Sequence, residues 1–195
     1  MLQFAEWVAP PRLVGEDSRV PPPPPDCILR RATLTDLAAY AELARRTFSE
    51  TYRDSHDAGV LARHVAATFT DERLRADLED EGRTVLAVTV GPEWVAYAVL
   101  ARSSAPPEVA GERPLEIARF YVASPWHGRG VAAPLMAATL DAARRQGGDA
   151  AWLCAWEHNP RALRFYYRQG FEQVGRATYV FDGQPEDDYL LTVAL

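Results

Sequence analysis

Trp126-His127-Gly128-Arg129-Gly130-Val131-Ala132-Ala133 is the stretch that decides the fold of this chain. It follows a strand-like run, 115–123, and opens a helix-like run, 130–147. Glycines at such a junction let the backbone turn tightly and come close to a ligand, and unpaired N–H groups at a helix start attract phosphate oxygens. Alone this is a phosphate cradle and a weak signal. A second segment answers it downstream: Trp156-Glu157-His158-Asn159-Pro160-Arg161-Ala162-Leu163-Arg164-Phe165-Tyr166, closing on Gln169-Gly170-Phe171. The two in this order are far more specific than either.

Outward from these segments, strands and helices alternate irregularly. A strand over 27–31 precedes a helix that Thr33 or Thr35 can cap and that runs to about Phe48, with Leu37, Tyr40, Ala44, Thr47 and Phe48 on its apolar face. Residues 49–59 read as a polar loop, and 60–69 and 70–81 as short helices, the second charged enough to face water. Strands over 84–90 and 94–102 form a hairpin about Gly91-Pro92-Glu93. After the strand 115–123 and its helix come a strand over 151–156, a helix over 161–168 with Pro160 in its first turn, and a strand over 171–181. A turn at Asp182-Gly183-Gln184-Pro185 leads to a last strand, 188–194. This order predicts an α+β (mixed α/β) protein, a mixed sheet covered by helices rather than a doubly wound parallel one.

The 195 residues suit one domain, 26–195, behind a Pro-rich and flexible tail, 1–25, in which Pro21 to Pro25 span about 15 Å of polyproline helix. Phe4, Trp7 and Val8 offer the tail a second reading, as a docked segment. A 48% apolar content supports a real core, and a formal charge of −6 argues against a nucleic-acid footprint. Every basic residue is arginine, which excludes lysine-based Schiff-base or general-base chemistry. Cys27 and Cys154 make no disulfide framework, and Cys154 reads as a buried, inert thiol in mid-strand. There is no long apolar run and no signal-peptide pattern, so a soluble cytoplasmic protein with no membrane partner is expected. The histidines lack metal-ligand spacing, so no metal site is expected.

The element order, His127-x-x-Gly130-x-Ala132 at a strand-to-helix junction, and Asn159-x-x-Ala162-x-x-Phe165-Tyr166-x-x-x-Gly170-Phe171 together resemble the GNAT superfamily of acyl-CoA-dependent N-acetyltransferases, over roughly residues 27 to 194. Phe48-Ser49-Glu50-Thr51-Tyr52, Trp156-Glu157-x-Asn159 and the ending Phe181-Asp182-Gly183-x-x-x-x-Asp188-Tyr189-Leu190 are similar to the bacterial spermidine/spermine N-acetyltransferase branch. The resemblance implies the GNAT fold: a mixed, mostly antiparallel sheet of about six or seven strands with helices on both faces. It also implies acetyl-CoA as cosubstrate, direct acetyl transfer without a covalent enzyme intermediate, and a homodimer as one expected assembly. His127 stands where the family usually carries Gln or Arg.

By the same resemblance, the amides of Gly128, Arg129, Gly130, Val131, Ala132 and Ala133 surround the pyrophosphate with His127 at the loop entrance. Arg129 either adds charge there or is solvated. Phe120, Tyr121 and Val122 pair with pantetheine through their main chain, and an amide near Val122 polarises the acyl oxygen. Asn159 holds the pantetheine arm, caps the helix ahead of Pro160, or does both. Tyr166 matches the general acid of the departing thiolate. Full transfer from a phenol near pKa 10 to a thiol near 8.5 is uphill by about 2 kcal/mol, so a hydrogen bond with late transfer is the reasonable role.

An alkylamine near pKa 10.4 is neutral about once in 2,500 molecules at pH 7, a cost of roughly 4.6 kcal/mol, so a base is needed. Glu116, a carboxylate in an otherwise apolar strand where some members of the family carry their catalytic glutamate, is either that base or an ion-pair partner, a water chain being the family's other route; alternation puts it on the face of Ala118 and Phe120. Glu157 is a lesser candidate.

The early helices and the last hairpin, which build the acceptor site in the family, offer Glu50, Asp54, Asp57, Asp182, Glu186, Asp187 and Asp188. Without residues 1–25 the chain has 24 acidic against 19 basic residues, a charge of −5. An acidic rim attracts a polycationic amine, unless it is only a solvated surface. Tyr52 either frames the acceptor pocket or belongs to the core. The expectation is an acetyl-CoA-dependent N-acetyltransferase acting on a primary amine, a polyamine by class. The rivals are a protein N-terminal or amine-antibiotic acetyltransferase and a catalytically silent acyl-CoA-binding module.

Overall fold

The computed structural model describes residues 22–24 and 26–195. The tail expected over 1–25 lies, apart from 22–24, outside them. Along the chain run β1 (Cys27–Arg31), α1 (Leu37–Tyr52), α2 (Ala58–Thr68), α3 (Asp71–Glu79), β2 (Arg83–Val90), β3 (Glu93–Ala101) and β4 (Pro114–Val122). There follow α4 (Ala132–Arg145), β5 (Ala150–Trp156), α5 (Pro160–Arg168), β6 (Glu172–Phe181) and β7 (Gln184–Ala194). The seven strands form one sheet in the order β1-β2-β3-β4-β5-β7-β6. Every neighbouring pair is antiparallel except β4 and β5. The mixed α+β fold expected from the sequence is the fold observed.

Two cores follow from the strand period. One face of the sheet packs Leu86, Ala98, Leu100, Ile117, Leu153 and Leu191 under Leu135 and Met136 of α4 and Leu163 and Tyr166 of α5. The other packs Val85, Ala87, Tyr97, Val99 and Phe181 under Tyr40, Leu43 and Phe48 of α1, Leu61 of α2 and Leu74 of α3. Asp77 of α3, 4% exposed, ties this second layer to β4: it accepts from Tyr40 Oη at 2.8 Å, from Arg83 at 2.8 Å and from Arg119.

Several boundaries differ from the sequence reading for identifiable reasons. Ser49, Glu50 and Thr51, expected in a loop, extend α1 to Tyr52. The Ser49 and Thr51 hydroxyls donate back to the carbonyls of Arg45 and Thr47, each at 2.8 Å, which makes polar residues compatible with the helix. Neither Thr33 nor Thr35 caps α1; a short 3-10 turn, Leu34–Asp36, leads into it, and α4 starts at Ala132 rather than at 130. The β6–β7 turn contracts to Asp182 and Gly183, with φ of 47° and 83°, the positive pair that suits a two-residue hairpin. Cys154, expected to be buried, is exposed. Partial burial, then Asp188 and Glu116, push its thiol up to about 11.

Candidate active site

β4 and β5 share three register pairs: Pro114 with Ala150, Leu115 with Ala151 and Glu116 with Trp152. Beyond Glu116 the strands part. Among the described residues, 117–122 keep β3 on one side and have no strand on the other, while β5 continues against β7 as far as Trp156 opposite Asp188. The sheet therefore opens in a wedge, and backbone groups along its β4 lip are available to an extended ligand.

The glycine segment stands at the mouth of this wedge. Gly128 and Gly130 have φ of 72° and 74°, in the left-handed region that suits glycine, and a Cβ at Gly128 would meet only open space. α4 begins with no side-chain cap and no acidic residue in its first turn. No acidic residue lies between Val122 and Leu135. A helix start with unclaimed amides and no competing negative charge fits a pyrophosphate. His127 Nε2 donates to the Val122 carbonyl at 2.8 Å, and Nδ1 accepts from Arg161. A carbonyl only accepts, so the ring proton sits on Nε2. Burial first, then the Arg161 charge, holds this imidazole below its ordinary pKa and keeps it neutral. Arg129 lies over the Trp126 ring at 5.6 Å.

α5 forms the other lip. Asn159 caps it, its side chain accepting from the Ala162 amide at 3.1 Å, with Pro160 in the first turn. Asn159 also lines a pocket of about 140 Å³ together with Glu50, Val122, His127, Trp156 and Arg161. The large amphipathicity of α5 buries Tyr166 and leaves Tyr167 at the surface. Tyr166 lies edge-on to Phe120 at 6.2 Å and to Phe171 at 5.8 Å, and burial pushes its phenol well above the usual tyrosine range.

The opposite face holds a packed cluster of aromatic rings, termed the chamber below. Tyr52 lies 5.1 Å from Trp156 and 5.3 Å from Phe181, and His56 stacks on Phe181 at 4.0 Å. Tyr121 stacks on Tyr97 at 5.6 Å; burial raises its phenol, and Tyr166, from the other side of the wedge, is among the neighbours that add to the shift. Tyr179 accepts from His64 Nε2 at 2.7 Å, while His64 Nδ1 accepts from the Asp182 amide at 3.0 Å. Burial and then Asp188 raise Tyr179 to about 12.

The structure thus brings Phe120, Tyr121, Val122, the segment from His127 to Ala133, Asn159 and Tyr166 around one wedge. Glu116 sits at its closed end, half-buried, with no ion pair or hydrogen bond among the described residues. The expected face of Glu116 needs correction. A bulge between Ile117 and Arg119 turns Phe120 to the α5 side, 5.5 Å from Phe165, so Glu116 faces the chamber with Trp152 and without Phe120.

Among the expected acceptor residues, Tyr52 lines the chamber. Glu50 fixes the exit of β4, accepting from Ser124 Oγ at 2.8 Å and from its amide at 3.2 Å, and Asp54 is 95% exposed beside Arg53. The side chains of Trp156, Tyr121 and Tyr179 were not foreseen in the chamber. For Asp188 the available signal was its phase in β7, two residues before buried Leu190. Among the described residues no cluster of three or more His, Cys, Asp or Glu is arranged to hold a metal ion, and no helix is long and apolar enough to cross a membrane.

A sheet that opens between two parallel strands, with unclaimed helix-start amides at the mouth and a buried tyrosine on the lip, is the arrangement that the resemblance to the acyl-CoA-dependent acetyltransferases implies. The sequence profile of the acetyltransferase (GNAT) family matches residues 37–171, and the chain belongs to that family. An uncharacterized N-acetyltransferase of Mycobacterium tuberculosis is 30% identical over 158 residues, 81% of this chain and 97% of that one. A second, from Lactobacillus delbrueckii subsp. lactis, is 26% identical over 160 residues, 82% of this chain and 92% of the other. Among solved structures, the PaiA N-acetyltransferase of Thermoplasma acidophilum in complex with coenzyme A superposes with a TM-score of 0.68 at 15% identity, covering 87% of this chain and 99% of that one. The protein is an N-acetyltransferase that uses acetyl-CoA.

Proposed function

We propose that the acceptor is a primary amine of a small polycation, a polyamine by class. The observation that carries this reading is the chamber: aromatic walls with carboxylates at the rim suit an alkylammonium, through cation–π contact and charge. The segment from His56 to His64 is bound to the β6–β7 hairpin by His56 to Glu186 at 2.5 Å, Arg63 to Asp182 at 2.8 Å and His64 to Tyr179 at 2.7 Å.

Acetyl-CoA supplies an acetyl group activated as a thioester. The amides of Gly128 and of Gly130 to Ala133 hold its pyrophosphate, that of Arg129 being turned to the Trp126 carbonyl at 3.3 Å; the β4 lip from Phe120 to Val122 pairs with the pantetheine arm, and Asn159 keeps its side-chain N–H groups, unbonded among the described residues, for the same arm. The accepting nitrogen must lose a proton and the leaving sulfur must gain one. Tyr166 is the donor to sulfur, with a burial-raised phenol that stays protonated until charge develops. Two carboxylates on the chamber face, Glu116 and Asp188, are available to the nitrogen.

A thiol-release assay over spermidine, spermine, an aminoglycoside, N-terminal peptides and amino acids tests the acceptor class. Saturable turnover with the polyamines alone is expected. Turnover restricted to peptides would replace the polyamine with a protein N-terminus, and silence with acetyl-CoA still bound would leave an acyl-CoA-binding module. Tyr166→Phe is expected to lower kcat at least about tenfold with acetyl-CoA affinity little changed. Turnover within threefold of the parent protein would remove Tyr166 from the mechanism.

A further inference from the structure

Of the seven acidic residues at the acceptor end, six already have work in the fold or lie open to solvent. Glu50 binds Ser124, Asp57 caps α2, Asp182 pairs with Arg63, Glu186 with His56 and Asp187 with Arg176, while Asp54 is exposed. Asp188 differs. It is 8% exposed and, among the described residues, has neither an ion pair nor a hydrogen bond. Register places it on the chamber face, opposite Trp156 of β5 and the small Ala177 of β6. The Asp188 charge is among those that raise the phenols of Tyr52, Tyr121 and Tyr179 and the thiol of Cys154, groups carried on four different elements. A largely buried carboxylate with neither a cation nor a hydrogen bond is costly to keep ionised, and a cation that enters relieves the cost.

We propose that Asp188 receives the ammonium head of the acceptor amine and takes its proton, which makes it the base of the reaction and the determinant of preference for a charged primary amine. This rests on the small-amine reading above. One N–H proton passes from the ammonium to the Asp188 carboxylate, and the freed nitrogen lone pair forms the N–C bond as the thioester C–S bond breaks. The second nitrogen proton balances the sulfur, and the proton on Asp188 returns to solvent through the chamber mouth.

Burial, then Glu186, Asp187 and Glu157, raise the Asp188 carboxyl to about 6, which narrows its gap to an amine while leaving it ionised at neutral pH. Glu116 is less well placed. It lies level with Trp152, four residues and about 13 Å down β5 from Trp156, with Cys154 between the two levels.

The test uses the full chain, spermidine as probe, and the near-isosteric Asp188→Asn. Asp188→Asn is expected to keep its melting temperature and its acetyl-CoA affinity within threefold, to lose spermidine binding in calorimetry, and to lower kcat/KM about a hundredfold or more. In the parent protein kcat/KM should fall as pH drops through about 6, because the ionised carboxylate is the working form, and Asp188→Asn should lack this limb. The charged and titratable groups that act on Asp188 or feel its charge are Glu186 and Asp187 of β7, Glu157, Cys154 of β5, Tyr121 of β4, Tyr52 of α1 and Tyr179 of β6. His56→Gln and Glu116→Gln, which leave Asp188 in place, should retain the limb.

Asp188→Asn with an unchanged limb and kcat/KM within threefold would overturn the assignment. So would a carbon-13 carboxyl titration of the parent protein in which the resonance near pH 6 does not move down when spermidine is added, a readout that needs neither turnover nor a folded variant. If peptides are turned over and spermidine is not, the polyamine reading falls alone. Asp188 is then judged by the same limb and carboxyl shift with the peptide's α-amine as probe.

Discussion

Gly130→Glu is expected to abolish acetyl-CoA binding while leaving the protein folded. Gly130 is buried in the cradle with φ of 74°, next to the uncapped start of α4. A carboxylate within ~4 Å of a phosphate oxygen is repelled by about 4 kcal/mol at an effective dielectric of ~20. That exceeds the roughly 2.7 kcal/mol needed for a hundredfold loss of affinity. Any side chain here also meets the cost of a left-handed backbone, about 1–2 kcal/mol. Gly130→Ala carries that strain without the charge and serves as the control: it should lose affinity much less than Gly130→Glu. Calorimetry with acetyl-CoA, beside a melting curve for each variant, reads both effects. Micromolar binding by a folded Gly130→Glu protein would move the pyrophosphate away from this loop.

Asp77→Ala should cost about 3–5 kcal/mol of stability, roughly 6–20 °C in melting temperature. The carboxylate is the shared acceptor for Tyr40, Arg83 and Arg119, and Arg119 is four-fifths buried beneath the Phe69 ring at 5.3 Å. Without Asp77 the guanidinium keeps its charge among apolar residues with only the Tyr40 hydroxyl, at 3.0 Å, to bond. The paired replacement Asp77→Leu with Arg119→Met removes both charges and is expected to recover most of the loss. A melting temperature within 2 °C of the parent protein for Asp77→Ala would show that solvent, rather than Asp77, stabilises Arg119. Arg119 follows the β4 bulge, so this cluster also fixes how the free β4 lip is presented to the wedge.

What the sequence made legible was local. Glycines at a strand-to-helix junction, Asn159 ahead of Pro160, and Tyr166 on the apolar side of a short helix are all matters of spacing within a dozen residues, and the order of strands and helices survives intact in the fold. Properties set by distant partners were not legible. Cys154 reads as core because its strand neighbours are apolar, yet β4 has already turned away from β5 at its level and leaves the thiol accessible. Phe120 changes face at a bulge that no alternation pattern shows. Ser49 and Thr51 look like loop residues until their hydroxyls are seen closing on the turn before. Asp188 was one acid among seven, because its sequence neighbours give no hint that it would be largely buried with neither an ion pair nor a hydrogen bond among the described residues.

The short pairing of β4 with β5 has an evolutionary corollary. Peptide groups recognise a ligand whatever side chains they carry, so a binding edge made of main chain tolerates substitution along most of its length. The chamber across the sheet is made entirely of side chains, and one replacement there changes what fits. Under the proposed function, the seat of the acetyl donor can persist through extensive sequence drift while the choice of amine is rewritten at a few positions, and lineages sharing this architecture are free to exchange one acceptor for another.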